Sequence, residues 1–142
     1  MQHINQRTFA FVFTCLVLSC ASLADDWPQW RGPARDGVWR ETGITARLDL
    51  DREGRIPLKW SVPVGAGYSQ PTVAQGRVFV TDRVDEPEEI ERVHCFDFKT
   101  GQSKWSIQYA ARYTISYKSG PRAAVTIDSE GEGAQAKHRA YA

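Results

Sequence analysis

The chain has 142 residues, with 18 Lys and Arg against 17 Asp and Glu. Arg7 is the one charged side chain among the first 24 residues, so the following 118 carry 17 charges of each sign. Such a balance excludes the basic footprint that nucleic-acid binding needs. Cys95 is the one cysteine beyond residue 24, which excludes an intrachain disulfide or a cysteine-built zinc site in that body.

The N-terminal segment reads as an export signal. Arg7 precedes an apolar run, Phe9 to Leu18, and the segment closes on Ser22-Leu23-Ala24 before Asp25-Asp26. Small residues at these positions suit cleavage after Ala24, and the run is too short to span a bilayer comfortably. The predicted location is therefore the periplasm or cell surface. Val17-Leu18-Ser19-Cys20 also resembles a lipoprotein cleavage box, so membrane attachment is expected only through a lipidated Cys20. Residues 25–57 follow as a Trp-rich segment holding Trp27, Trp30 and Trp39. Together with Arg31 these indoles form a candidate recognition surface for sugars or peptides. The preferred reading is that the segment packs across the following domain.

From residue 58 to 128 short β-rich runs alternate with turn signals, and no stretch keeps a helical period. Leu58–Val62 is one predicted strand, closed by Pro63. Tyr68–Val73 is another, with Pro71 arguing against a fully paired position. Ala74-Gln75-Gly76 makes a tight connection into Val78–Thr81. A charged loop over Arg83–Arg92 leads to Val93–Phe98, Lys99-Thr100-Gly101 turns the chain, and Ser103–Gln108 is the last clear strand. Five acids between Asp85 and Glu91 match no calcium-loop spacing and read as a solvated loop. His94 and Cys95 are too few ligands for zinc, so His94 reads as a hydrogen-bonded strand residue and Cys95 as a small hydrophobe. Consecutive apolar residues such as Val78, Phe79 and Val80 predict a sheet covered on both faces. A single meander cannot cover itself twice, whereas stacked propeller blades do so.

Lys59-Trp60-Ser61 and Lys104-Trp105-Ser106 lie 45 residues apart, a propeller-blade period. The run Val93-His-Cys-Phe-Asp97-Phe-Lys-Thr100-Gly101-Gln-Ser-Lys-Trp105 resembles the repeat of PQQ-like (quinoprotein-type) β-propellers. The opening Asp26-Trp27-Pro28-Gln29-Trp30-Arg31-Gly32-Pro33 is similar to the start of exported bacterial members of planctomycete type. The resemblance implies an all-β propeller fragment of about one complete four-stranded blade plus parts of its neighbours. It gives Asp97, Thr100, Gly101, Trp105 and Trp60 structural roles in the repeat. Asp97 would accept hydrogen bonds from the turn, Gly101 would take a left-handed conformation, and Trp105 would wedge between blades. Arg122, in Gly120-Pro121-Arg122, would lie where blades approach the central channel and joins the candidate recognition residues.

No catalytic residue, metal or cofactor is expected, because an adjacent-cysteine pair and a metal-ligand set are both missing. The implied function is a non-catalytic module that binds protein partners, a ligand or the remaining blades of a ring. The alternative is the N-terminal part of a PQQ-dependent dehydrogenase holding PQQ with calcium. Residues 129–142 carry no β-pattern and read as an irregular tail, as if the chain were a truncated or frame-shifted piece of a longer propeller.

Overall fold

The structure, a computed structural model, describes residues 26–43, 45, 47–117, 120–131 and 136–142. The expected export signal and Cys20 lie outside the described residues. Those described contain strands and turns but no helix. β1 (Thr72–Ala74), β2 (Arg77–Val84), β3 (Ile90–Asp97) and β4 (Ser103–Ala110) form an antiparallel meander in the order β1-β2-β3-β4. β5 (Thr126–Glu130) and β6 (Lys137–Tyr141) form a second, two-stranded sheet.

Local sequence accounts for the connections. Gln75 and Gly76 both have positive φ (53° and 68°), the pairing a two-residue hairpin with native twist demands. Between β3 and β4 the Asp97 carboxylate accepts from the Lys99 and Thr100 amides and from the Thr100 hydroxyl, at 3.0–3.1 Å. Gly101 follows at φ 72°, and its amide returns to the Asp97 carbonyl at 2.8 Å. A bulge between Cys95 and Phe96 brings Phe96 opposite Ser103.

Register sorts the meander into two faces. Thr72, Ala74, Phe79, Thr81, Arg83, Glu91, Val93 and Cys95 share the first, all of them buried. Val125 and Ile127 cover it, and the Thr72 hydroxyl donates to the Val125 carbonyl at 2.6 Å. The second face carries Val78, Val80, Val84, Ile90 and His94, half-buried, around a fully buried Asp82. The burial differs because β5 packs on one face only, while residues 65–69 run along the β2 edge near Asp82. There Ala66 pairs with Arg83 and Ser69 Oγ donates to the Thr81 carbonyl at 3.1 Å.

Four sequence expectations need correction. Leu58–Val62 is not a strand: it lies between Pro57 and Pro63 and finds no ladder partner among the described residues. Tyr68–Val73 contributes only its end to β1, since Pro71 removes a donor. Val73 instead exchanges two backbone hydrogen bonds with Trp27, at 2.7 and 3.1 Å. The charged loop shrinks to residues 85–89, because β2 runs on to Val84 and β3 begins at Ile90. Finally, residues 129–142 are not irregular throughout. β5 extends to Glu130 and pairs with β6, where Ser129 faces His138 and Glu130 faces Lys137.

Candidate interaction surfaces

The repeat residues divide between two places. Asp97, Thr100 and Gly101 build the β3–β4 turn. Hydrogen bonds from Lys104 (3.2 Å) and from the Thr100 hydroxyl and amide hold the Asp97 carboxyl at about 2. The Trp60 indole lies flat on this turn: a Cβ at Gly101 would meet its ring at 2.7 Å, and Trp60 Nε1 donates to the Phe98 carbonyl at 3.0 Å. Trp105 stands mid-β4, its ring 5.9 Å from that of Phe79 and meeting it over Cys95. The two Lys-Trp-Ser motifs are therefore not equivalent positions, since one Trp caps a turn from outside the sheet and the other is a strand residue.

Trp105 belongs to a row. Trp105, Ile107 and Tyr109 stand opposite Cys95, Val93 and Glu91 on the first face, yet they are 38, 58 and 44 % exposed. The β5–β6 pair approaches only the Trp105 end of β4, where Trp105, Phe79, Ile127 and His138 help line a cavity of about 210 Å³ that Ile107 and Tyr109 do not line. Contiguous exposed apolar side chains of this size mark surfaces that meet other molecules.

The candidate recognition residues are dispersed. Trp27 lines an open cleft of about 410 Å³ with Trp39, Glu41, Gln70, Pro71 and Phe98. Its flat apolar walls carry one carboxylate. Trp30 and Arg31 do not join it: the Arg31 guanidinium lies 5.6 Å from the Trp30 ring and donates to the Asp36 carbonyl. Arg122 is elsewhere again, between the rings of Tyr117 (4.5 Å) and Tyr68 (5.5 Å). The Tyr68 amide donates to the Pro121 carbonyl at 2.8 Å, which ties residues 66–68 to residues 120–121.

Sequence reading missed two buried polar clusters at the loop end of the sheet. On the second face Asp82 accepts from Arg92 Nε (2.8 Å), Arg92 Nη2 (2.6 Å) and the Gly65 amide (2.5 Å). His94 Nε2 lies 3.0 Å from Asp82 Oδ1 but is not aligned as a hydrogen bond. Burial pushes the Asp82 carboxyl upward, and its charged and backbone partners outweigh that, holding it below the ordinary carboxylate range. On the first face buried Arg83 donates to Asp85 (2.6 Å) and to the Ala111 carbonyl (2.5 Å), with its guanidinium 4.5 Å from the Tyr113 ring. Glu91 accepts from Tyr109 (3.0 Å) and Tyr113 (2.5 Å). Burial and Glu91 raise the Tyr109 phenol, while Glu91 and then burial raise that of Tyr113. A signal was present in the sequence: Asp82-Arg83 and Glu91-Arg92 are complementary dipeptides that an antiparallel register sets against each other, Asp82 on Arg92 and Arg83 on Glu91.

Apart from His94 Nε2, which lacks an aligned partner, the two clusters pair their polar groups internally. Among the described residues no three His, Cys, Asp or Glu side chains converge as a metal site. Burial raises the Cys95 thiol, leaving it an inert side chain of the core. Ser129 Oγ and His138 Nδ1 approach to 2.8 Å across the exposed β5–β6 pair, but among the described residues no carboxylate bonds the imidazole as a nucleophile's base would require. Comparison with protein-family models, with curated proteins and with solved structures found no match.

Proposed function

We propose that the chain is a non-catalytic β-propeller module of the PQQ-like kind its repeat resembles, exported to the cell envelope and working by association. In this reading the meander serves as one blade, and protein partners or further blades cover the apolar rows it leaves open. The observation that carries it is the row Trp105, Ile107 and Tyr109, exposed on a face whose next two strands are buried. Half-buried Val78, Val80, Val84 and Ile90 on the opposite face support the same reading, since a blade is flanked on both sides. The repeat turn capped by Asp97, with Trp60 laid on Gly101, supplies the rigid edge such stacking requires.

The test is binding of an apolar dye such as anilinonaphthalene sulfonate to the full chain and to a Trp105→Thr/Ile107→Thr variant. Threonine keeps strand propensity, so the far-ultraviolet circular dichroism should be unchanged. At least half of the dye fluorescence should be lost. Equal dye binding by the two folded proteins would remove the basis for an association surface on this face.

A further inference from the structure

Among the described residues β4 and β6 each end a sheet with an outer side that no strand pairs, and these two edges differ in charge. β6 carries Lys137, His138 and Arg139 in succession, and like charges directly opposed across a pair are destabilising. β4 is eight residues long, has no Pro or Gly, and bears a single charge, Lys104, already 3.2 Å from Asp97. Natural edge strands are usually blunted by charge, proline or a covering segment. Among the described residues nothing pairs with the outer side of β4.

We propose that β4 pairs antiparallel with β4 of a second copy of this chain, in the register that sets Ile107 against the partner's Ile107. The inference concerns the sheet's edge rather than its faces, and holds with or without further blades. Hydrogen-bond parity fixes which groups are available. The Ala111 amide donates to the Glu89 carbonyl at 3.0 Å. Bonded pairs alternate along an antiparallel ladder, so Tyr109, Ile107 and Trp105 also turn their backbone groups toward β3. Ser106, Gln108 and Ala110 turn theirs outward, and the bulge leaves Lys104 without an opposite residue in β3.

Opposed residues in an antiparallel pair share a face, so a two-fold axis must pass through a residue rather than between two. With the axis at Ile107, Ser106 bonds the partner's Gln108 and Gln108 the partner's Ser106, while Ala110 lies opposite the partner's Lys104 at the bulge. Trp105 then faces the partner's Tyr109, and the exposed row doubles into a continuous ladder of three cross-strand pairs without a charge in it. The two Lys104 side chains stand about 20 Å apart at roughly 3.4 Å per residue. Moving the axis to Ser106 leaves Ala110 without a strand partner and sets Tyr109 against Ser103. Moving it to Gln108 sets Lys104 against the partner's Arg112. Side-chain complementarity therefore selects Ile107.

Sedimentation of the full chain over a range of concentrations should show a reversible monomer–dimer equilibrium. Gln108→Pro removes an outward amide while sparing the β3–β4 ladder, so it should weaken the dimer at least tenfold with the circular dichroism retained. Should that variant unfold, Ile107→Lys at an exposed site opposes two ammonium groups on the axis and should do the same. In a chain with Cys15→Ser and Cys20→Ser, Ile107→Cys should oxidise to a covalent dimer and Ser103→Cys should not. A non-bonded pair holds its Cα atoms about 4.5 Å apart, within disulfide reach. A chain that stays monomeric, a dimer indifferent to both variants, or cross-linking at 103 instead of 107 would overturn the proposal. Because the dimer leaves the first face open, a parent chain that stays monomeric while its dye binding depends on Trp105 and Ile107 refutes the edge pairing alone, and a parent chain that dimerises while its dye binding is indifferent to them refutes the face reading alone.

Discussion

Asp82→Asn is the sharpest test of how this small sheet is held. The carboxylate is fully buried and its two oxygens are divided between partners: Oδ1 takes Arg92 Nε and faces His94, while Oδ2 takes Arg92 Nη2 and the Gly65 amide. Asparagine fits the same space but offers one acceptor oxygen. Whichever way the amide turns, its NH2 meets donors. Charge-assisted hydrogen bonds contribute about 1.5–3 kcal/mol each, and removing one partner of a buried pair costs roughly 3–5 kcal/mol. The Arg92 side chain is 29 % exposed, so water takes up part of its stranded charge. That places the expected loss at the lower end, about 3 kcal/mol.

Urea unfolding followed by tryptophan emission and circular dichroism at 10 °C measures this. With a slope of about 1–3 kcal/mol per molar urea, the midpoint should fall by roughly 1–3 M. The acid limb provides an independent readout. Asp82 is held below its unfolded value, so its contribution is complete above about pH 4 and disappears as pH falls through the lower folded value. The variant should lack that part of the acid-induced loss. Replacing both partners, as in Asp82→Leu/Arg92→Met, should cost less than the two single changes summed. An Asn variant within about 0.5 kcal/mol of the parent, or one with an unchanged acid limb, would show that the cluster does not hold residues 65–69 to the sheet.

Gly101→Ala should destabilise more than Gly76→Ala. Both have positive φ and incur about 1–2 kcal/mol of left-handed strain, but only Gly101 would drive a Cβ into the Trp60 ring at 2.7 Å, so its variant should also red-shift the tryptophan emission. Proton NMR titration should place the Asp97 carboxyl near 2, and Lys104→Ala should raise it. Because that value is depressed, the stabilisation is present above about pH 4 and fades toward pH 2; a carboxyl titrating at its ordinary value would contradict the turn geometry.

The strand cores were legible in the sequence because β-branched and aromatic runs were separated by Gly and Pro. Residues 78–81 and 103–108 lie within observed strands, as does 93–98 except for Phe98, which begins the turn. The strand ends were not, because charge was taken as a mark of solvent. Asp82, Arg83, Glu91 and Arg92 extend β2 and β3 since each finds an opposite charge across the ladder, information that resides in register rather than in local composition. β6 was missed for a related reason. Lys137, His138 and Arg139 have no apolar alternation, and they pair through Ser129–His138 and through Arg139 with Glu130. Trp60 was read as a strand residue because it lies in the β-rich run Leu58–Val62, and its tripeptide repeats that of Trp105, but a shared tripeptide does not specify a shared environment. Of the candidate recognition residues, Trp27 reached a cleft because Val73 fixes its backbone. Trp30, Arg31 and Arg122 are held by nearer rings and carbonyls.

The composition of β4 links these local facts to association. A strand needs only residues tolerant of an extended backbone, and threonine at 107 would suit pairing with β3 as well as isoleucine does. Within the chain, Trp105 gains one tilted contact with Phe79, Tyr109 gains Glu91, and Ile107 remains more than half exposed. Fully burying a side chain such as Ile contributes about 1.5–3 kcal/mol, and most of that is left unrealised here. The neighbouring strand shows the contrast, with Val93 and Cys95 on the same face buried beneath Val125 and Ile127. The large apolar side chains of β4 therefore bury their area only when another surface is present, and the alternation with Ser106 and Gln108 on the other face confines that contact to one side of the strand.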